Sequence, residues 1–387
     1  MNNEAVSPRC VLQIIPSLDA GGAERGCLDI AGAVHRQGGR ALVASQGGRM
    51  AAELASLGGE LIVLPAASKN PLVMLANALR FVQIIRVQNV DLVHARSRAP
   101  AWSGWIAARL TGVAFVTTFH GFYSAQNVFK RFYNSVMLRG VRVIAGSHFM
   151  ASHIHATYHA STDHIAVIAR GIDVLHFDPN TVNPERVAEL RQEWKIPDRA
   201  QIALLPARLT RWKGQLLFVE ALAALNRRDV IGVLCGDAQG RDGYEQEIWA
   251  LARRLGIAEQ LRVTGNVADM PAAYCAAHIA VSASSDAEAF GRVPVEAMAM
   301  GCAIVAADHG GAAETLRPCG GGPAFGKLFA PGDTAALTAA LAQALAEPRG
   351  GGPEQSAAAR AHVLANYSTS SMCAQTLALY RDVLVGR

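Results

Sequence analysis

A chain of 387 residues that is 51% hydrophobic and 17% charged can bury large cores, and its length suits two domains rather than a disordered or fibrous chain. Its seven cysteines (Cys10, Cys27, Cys235, Cys275, Cys302, Cys319, Cys373) are odd in number and never spaced C-x-x-C, so neither a disulfide framework nor a zinc ribbon is expected and a reducing cytosol fits. The net charge of +5 is uneven: residues 1–180 hold 16 Lys+Arg against 10 Asp+Glu and the rest 20 against 21, a basic first half that suits an anionic partner or a solvated face.

The opening MNNEAVSPRC carries Glu4 and no basic start, and the apolar run after it is broken by Asp19, so no signal peptide is expected. No window approaches the roughly 18 uncharged apolar residues that span a bilayer. Short apolar runs follow at 11–15, 41–45, 60–64, 90–94, 114–119, 141–145 and 164–169, separated by helix-period segments such as 71–88 and 147–159. Continuous β-branched runs between helices predict strands of a parallel sheet covered on both faces. After DPNTVNP (178–184) the alternation restarts at 201–206, 230–236, 261–265, 278–284 and 302–307, which predicts a second doubly wound domain. EPRGGGPEQ (347–355) reads as a loop, and a last helix is expected at about 368–385. Two such sheets facing a cleft would bind ligands on the loops beyond their strands.

The sharpest motif is SSDAEAFGRVPVEAMAMG (284–301), which follows a strand and opens a helix near Arg292. Glu288 falls in the loop and Glu296 about one turn into the helix, while the N–H groups of Phe290, Gly291 and Arg292 cap its start, an arrangement suited to polyhydroxy or anionic ligands. A carboxylate suits a diol because it accepts paired hydrogen bonds. ARLTRWKGQ (207–215) offers Arg208 and Lys213 before another helix, with Arg211 as a spare. PSLDAGGAERG (16–26) is a glycine turn in which Gly21 and Gly22 permit close backbone approach; neither a G-x-G-x-x-G nor a G-x-x-x-x-G-K-[ST] motif accompanies it. TTFHGF (117–122) puts His120 at a strand end, and His94, at another, is followed by Arg96 and Arg98.

Two acidic or imidazole groupings invite a metal reading. Asp286 with Glu288 lies among cations that already supply positive charge, and His155 with His159 lacks a carboxylate or an H-E-x-x-H context, so no metal site is assigned. NVFKRFYNSVMLRGVR (127–142) interleaves four cations with Phe129, Phe132, Tyr133, Met137 and Leu138, a composition for an anionic membrane interface or for core packing with a solvated edge.

At Glu288, Phe290, Gly291 and Glu296 the chain resembles family 4 of the retaining glycosyltransferases, and Arg208, Lys213 and Gly214 match that family's Arg…Lys-Gly pattern. The resemblance implies an α/β, GT-B fold of two Rossmann-like domains: residues 1–168 on the acceptor side, 169–367 binding the nucleotide-sugar, and 368–387 a helix crossing back. It implies that Glu288 and the amides after it contact the donor sugar, that Glu296 accepts from the ribose, and that Arg208 and Lys213 stabilise the departing diphosphate without a metal. It further implies that Gly21 and Gly22 border donor and acceptor, that His120 orients the sugar, and that Asn266, Val267 and Met270 lie in loops cradling the base. His94, Arg96 and Arg98 are candidates on the acceptor side. The family's Asn-Gly-Ile-Asp is here Arg170, Gly171, Ile172 and Asp173, which puts in doubt any contact made by the missing Asn.

The expected function is thus transfer of a hexose from a UDP- or GDP-sugar to a glycan or glycolipid, in lipopolysaccharide core or surface polysaccharide synthesis. No cofactor and no nucleic acid partner are expected, and the site of action is the cytoplasm or the inner face of its membrane. A sugar-nucleotide epimerase of the same fold and a nonenzymatic nucleotide-sugar-binding protein remain as alternatives. A hydride-transferring Rossmann enzyme ranks last, for want of the glycine fingerprint.

Overall fold

Strand and helix alternate through most of the chain, and each stretch of alternation builds one parallel sheet. The structure, a computed structural model, describes residues 8–19, 21–123, 125–238, 240, 242–318 and 320–386; Glu4 and Cys319 lie outside them. One unit comprises Met1–Gly171 with Thr369–Arg387, the other Ile172–Ser368.

The first unit runs β1 (Cys10–Ile14), α1 (Gly22–Arg36), β2 (Arg40–Ser45), α2 (Ala51–Ser56), β3 (Gly59–Val63), α3 (Pro71–Gln88), β4 (Leu92–Ala95), α4 (Arg98–Thr111), β5 (Ala114–Phe119), α5 (Val128–Ser135), β6 (Arg142–Ala145), α6 (His148–Tyr158) and β7 (Ile165–Val167). Its sheet has the order β3-β2-β1-β4-β5-β6-β7, every neighbouring pair parallel. β1 and β5 are buried at every position, as expected for strands covered on both faces.

The second unit runs α7 (Pro184–Glu193), β8 (Gln201–Pro206), α8 (Gln215–Leu225), β9 (Val230–Cys235), α9 (Asp242–Arg254), β10 (Leu261–Gly265), α10 (Met270–Ala276), β11 (Ile279–Ser282), α11 (Arg292–Ala299), β12 (Ala303–Ala307), α12 (Gly310–Leu316), β13 (Lys327–Phe329), α13 (Thr334–Ala346) and α14 (Pro353–Asn366). Its sheet order is β10-β9-β8-β11-β12-β13, again all parallel. The last helix, α15 (Thr369–Val385), belongs to the first unit, where Met372, Cys373, Leu377 and Tyr380 join the core of Cys27, Leu28 and Ala31 from α1.

Each sheet reverses its winding direction once. The reversal lies between β1 and β4 in the first sheet and between β8 and β11 in the second. At such a point the helices after the two central strands diverge to opposite faces and leave a crevice beyond the strand ends. The loops after β1, β8 and β11 carry Gly21, Arg208 with Lys213, and Glu288, while His120 follows β5 and Asn266 and Val267 follow β10.

Local chemistry sets several element ends. α3 spans the predicted 71–88 because the Asn70 side chain accepts from Leu72 N, Pro71 opens the helix, and Asn89 closes it in the left-handed region at φ 49°. Two elements depart from expectation. The edge strand β13 is only three residues long and follows a glycine-rich stretch, too short for an apolar run to register. The stretch 347–355 is not all loop: a short 3-10 turn occupies Arg349–Gly351, and Pro353 begins α14.

Candidate functional site

In the second unit the loops after β8 and β11 are joined through their backbones. Ser285 N donates to Trp212 O at 2.8 Å, and Gly214 has φ 76°, where a Cβ would fall 1.9 Å from Ala283 O. Only glycine allows that approach. The turn at Arg211–Lys213 therefore stands directly against the loop carrying Glu288. Lys213 Nζ lies 2.8 Å from Glu288 Oε1, the side chains 14% and 16% exposed, and Ser284 Oγ donates to the same oxygen at 2.6 Å. Lys213 Nζ also sits 4.2 Å from the centre of the Trp212 ring. Arg208 is exposed beside this pair in sequence, and its guanidinium belongs to no ion pair found among the described residues. Arg211 is committed elsewhere, donating to Glu247.

Glu296 lies on the first turns of α11, buried, and accepts from Tyr274 Oη at 3.0 Å and Arg292 Nε at 2.5 Å. Burial raises the Tyr274 phenol well above its ordinary value, and the Glu296 charge adds to this, so Tyr274 stays a donor. Each Glu296 oxygen keeps a further lone pair for a diol. Phe290 is buried, 5.7 Å from the Tyr367 ring, and Gly291 at φ 114° faces Ala312, where a Cβ would lie 2.4 Å from its Cα. The start of α12 braces the loop: Gly311 N donates to Glu288 O at 2.7 Å, and His309 Nε2 donates to Ser284 O at 2.9 Å. Sequence reasoning missed this brace, although DHGG (308–311) after β12 carries the same strand-then-glycine signal as the first-domain turn. Asn266 and Val267 lie in the loop after β10, and Met270 opens α10, whose cap Asp269 is paired with Arg186 at 2.6 Å.

In the first unit Gly21 and Gly22 lead into α1, and His120 follows β5. Arg170 joins them. Its Nη2 lies 2.9 Å from both His120 Nδ1 and His120 O, and its Nη1 sits where a Cβ on Gly22 would come within 2.6 Å. Burial lowers the His120 pKa well below its ordinary range, and the positive charges of Arg170 and then Arg96 push the same way.

The acceptor-side candidates are held inside the unit. His94 is 1% exposed, its Nδ1 2.6 Å from Tyr380 Oη and its Nε2 2.7 Å from Thr118 Oγ1, and burial keeps it neutral. Arg96 is 5% exposed and donates from Nε to Gln13 Oε1 at 2.8 Å, while its buried Nη2 has no partner. Arg98 donates to Asn134 Oδ1 at 3.0 Å and stacks 4.2 Å from the Tyr123 ring centre. His159 takes the left-handed conformation that ends α6, so it does not share a helix face with His155. Among the described residues no group of three His, Cys, Asp or Glu side chains is disposed to hold a metal ion.

Comparison with known proteins agrees with this fold. The Glycosyltransferase Family 4 pattern matches residues 20–175 and the Glycosyl transferases group 1 pattern residues 187–362. A crystal structure of a glycosyltransferase from Rickettsia africae ESF-5 is 35% identical, covers 97% of this chain and 98% of its own, and superposes with a TM-score of 0.88. The Anabaena protein Alr3699/HepE, in complex with UDP and glucose, superposes with a TM-score of 0.81 at 24% identity, over 97% of this chain and all of that one. The D-inositol 3-phosphate glycosyltransferase of Salinispora tropica is 28% identical over 267 residues, 62% of this chain; the match spans only 55% of that relative's length. Two doubly wound units with these loops define the GT-B architecture. The chain belongs to glycosyltransferase family 4.

Proposed function

We propose that the chain is a retaining hexosyltransferase, which moves a sugar from a UDP- or GDP-sugar to a hydroxyl of a glycan or glycolipid and needs no metal ion. The observation that carries this reading is the Lys213–Glu288 pair at the switch point of the second sheet. Arg208 and Lys213 would meet the diphosphate, whose negative charge grows as the bond from the anomeric carbon to the phosphate oxygen breaks. Glu288 and the amides at the start of α11 would take the sugar hydroxyls, and Glu296 the ribose diol. The acceptor oxygen bonds to the anomeric carbon on the face the diphosphate leaves, and its proton passes to a departing phosphate oxygen. The bound UDP of the Anabaena neighbour supports a uridine or similar nucleotide as the donor's carrier.

The finer reading is a role in lipopolysaccharide core or surface polysaccharide synthesis at the inner face of the cytoplasmic membrane. It is supported by the basic first half and by α5, where Val128, Phe129 and Phe132 are 78%, 86% and 61% exposed next to Lys130 and Arg131. Among the described residues no helix is long and apolar enough to cross a membrane. A thermal-shift screen of nucleotide-sugars, then turnover of the best binder with and without acceptor and chelator, tests the proposal. Release of nucleoside diphosphate with an α-linked product from an α-linked donor is the expected result. An isomerised donor formed without acceptor would replace it with an epimerase, and binding without turnover would leave a carrier.

A further inference from the structure

We propose that Arg170 is a positioning residue: it fixes His120 as the neutral tautomer with its proton on Nε2, so that the ring offers a ligand a hydrogen-bond donor and not a base. Arg170 follows β7 and His120 follows β5, fifty positions apart, and both belong to the first unit. Arg170 Nη2 lies 2.9 Å from His120 Nδ1 and 2.9 Å from His120 O. A guanidinium carries five donors and no acceptor, so the nitrogen facing it must hold a lone pair. In a neutral imidazole the single proton then sits on the other nitrogen. That nitrogen, Nε2, is buried and has no partner among the described residues. A buried N–H left open is costly, and a ligand oxygen would satisfy it.

The surroundings oppose the alternatives. Imidazolium would turn an N–H at Nδ1 toward Arg170 and add a positive charge beside Arg170 and Arg96, while the nearby His94 is held neutral. No carboxylate forms an ion pair with Arg96 among the described residues. Arg170 is itself seated by a glycine, since its Nη1 occupies the space a Cβ on Gly22 would enter. Gly22, Arg170 and His120 thus form one relay from the first turn of α1 to the end of β5. The consequence for chemistry rests on the transferase reading: His120 would donate to a sugar hydroxyl or ring oxygen and could not abstract the acceptor's proton.

The tautomer is read by heteronuclear NMR on protein with ¹⁵N-labelled histidine, the His120 signals assigned with His120→Gln. The expected wild-type spectrum near pH 7.5 has a proton on Nε2 and a bare Nδ1, with no titration of His120 through its ordinary range. In Arg170→Met the ring should pass to a mixture of tautomers and its pKa should rise, although burial and Arg96 still hold it below the ordinary histidine value. Gly22→Ala should move it the same way, and it guards against a fold defect peculiar to the arginine variant. A proton on Nδ1 or an imidazolium in the wild type overturns the proposal, as does an unchanged spectrum in both variants. In turnover assays Arg170→Met should lower kcat at least about tenfold and move the acid limb of the pH–rate profile upward. Failure of the transferase reading removes only this last arm, because the spectrum is recorded without substrate.

Discussion

Replacing Lys213 with alanine separates two effects that the structure lets one size. Lys213 and Glu288 are both well under a third exposed, so the solvent screens their 2.8 Å contact only partly, and after the change Glu288 keeps Ser284 Oγ as its one partner in that contact. An ionised carboxylate left short of a partner there costs about 1–3 kcal/mol of stability. Loss of a preorganised cation at a developing negative charge costs about 10²–10³ in turnover, near 3–4 kcal/mol. Arg211 cannot substitute, because its guanidinium is paired with Glu247. Initial rates with the donor identified by thermal shift, together with denaturant unfolding, give both quantities. The double variant Lys213→Ala/Glu288→Gln should recover most of the stability and none of the rate. Turnover near wild type in a folded Lys213→Ala protein would remove this lysine from the reaction and refute the electrostatic argument.

Other outcomes follow from single contacts. Tyr274→Phe deletes the hydroxyl that donates to Glu296 and should cost about 1.5–3 kcal/mol in denaturant unfolding, the range for a hydrogen bond to a charged group; no change would mean that water takes its place. Gly291→Ala puts a methyl 2.4 Å from Ala312 Cα at φ 114°, so nucleotide binding should be lost or the protein destabilised by about 1–3 kcal/mol, and unaltered binding and stability would contradict the bracing of this loop. Acid should weaken the fold through His94, whose folded pKa lies well below the ordinary 6.5. The unfolded chain takes up its proton as the pH falls through that value and the folded protein does not, so stability drops by up to about 1.4 kcal/mol per pH unit from this residue alone. His120, His153, His278 and His362 are shifted in the same direction; unfolding midpoints equal at pH 7.5 and 5.5 would disprove the assignment. Co-sedimentation with anionic vesicles at low salt should be lost in Phe129→Glu/Phe132→Glu; failure of the wild type to sediment ends the membrane reading.

The second unit's site was legible because its chemistry is local in sequence. Glu288 and Glu296 flank one loop-to-helix junction, and Arg208 and Lys213 flank one turn, so residue type and spacing alone nominate them. Their meeting at 2.8 Å was not legible, since it depends on which strands are neighbours: β8 lies beside β11 although β9 and β10 intervene in the chain. The first unit hid more. His94 and Arg96 look like a polar strand end, but one partner of His94 is Tyr380, 286 positions away on the last helix, and Arg96 turns inward to Gln13. Arg170 registered only as a departure from the family's Asn, because nothing in a linear sequence places it over Gly22 and against His120.

The two switch points solve opposite electrostatic problems, and this bears on the uneven charge of the chain. At the second, the half-buried lysine carries its own counter-charge in Glu288, so that pair is neutral before any ligand arrives and can be set in advance. At the first, Arg96 is more deeply buried yet bonds a neutral amide and leaves Nη2 open. A buried guanidinium with no carboxylate keeps its full positive field, because water is too distant to screen it. Burial is the main reason that His94 and His120 are pressed toward their neutral forms, and that field adds to it at both. The basic excess of the first half is therefore not confined to a solvated surface; part of it is built into the strand ends around α1, where an oxygen-rich or anionic group would be the natural complement.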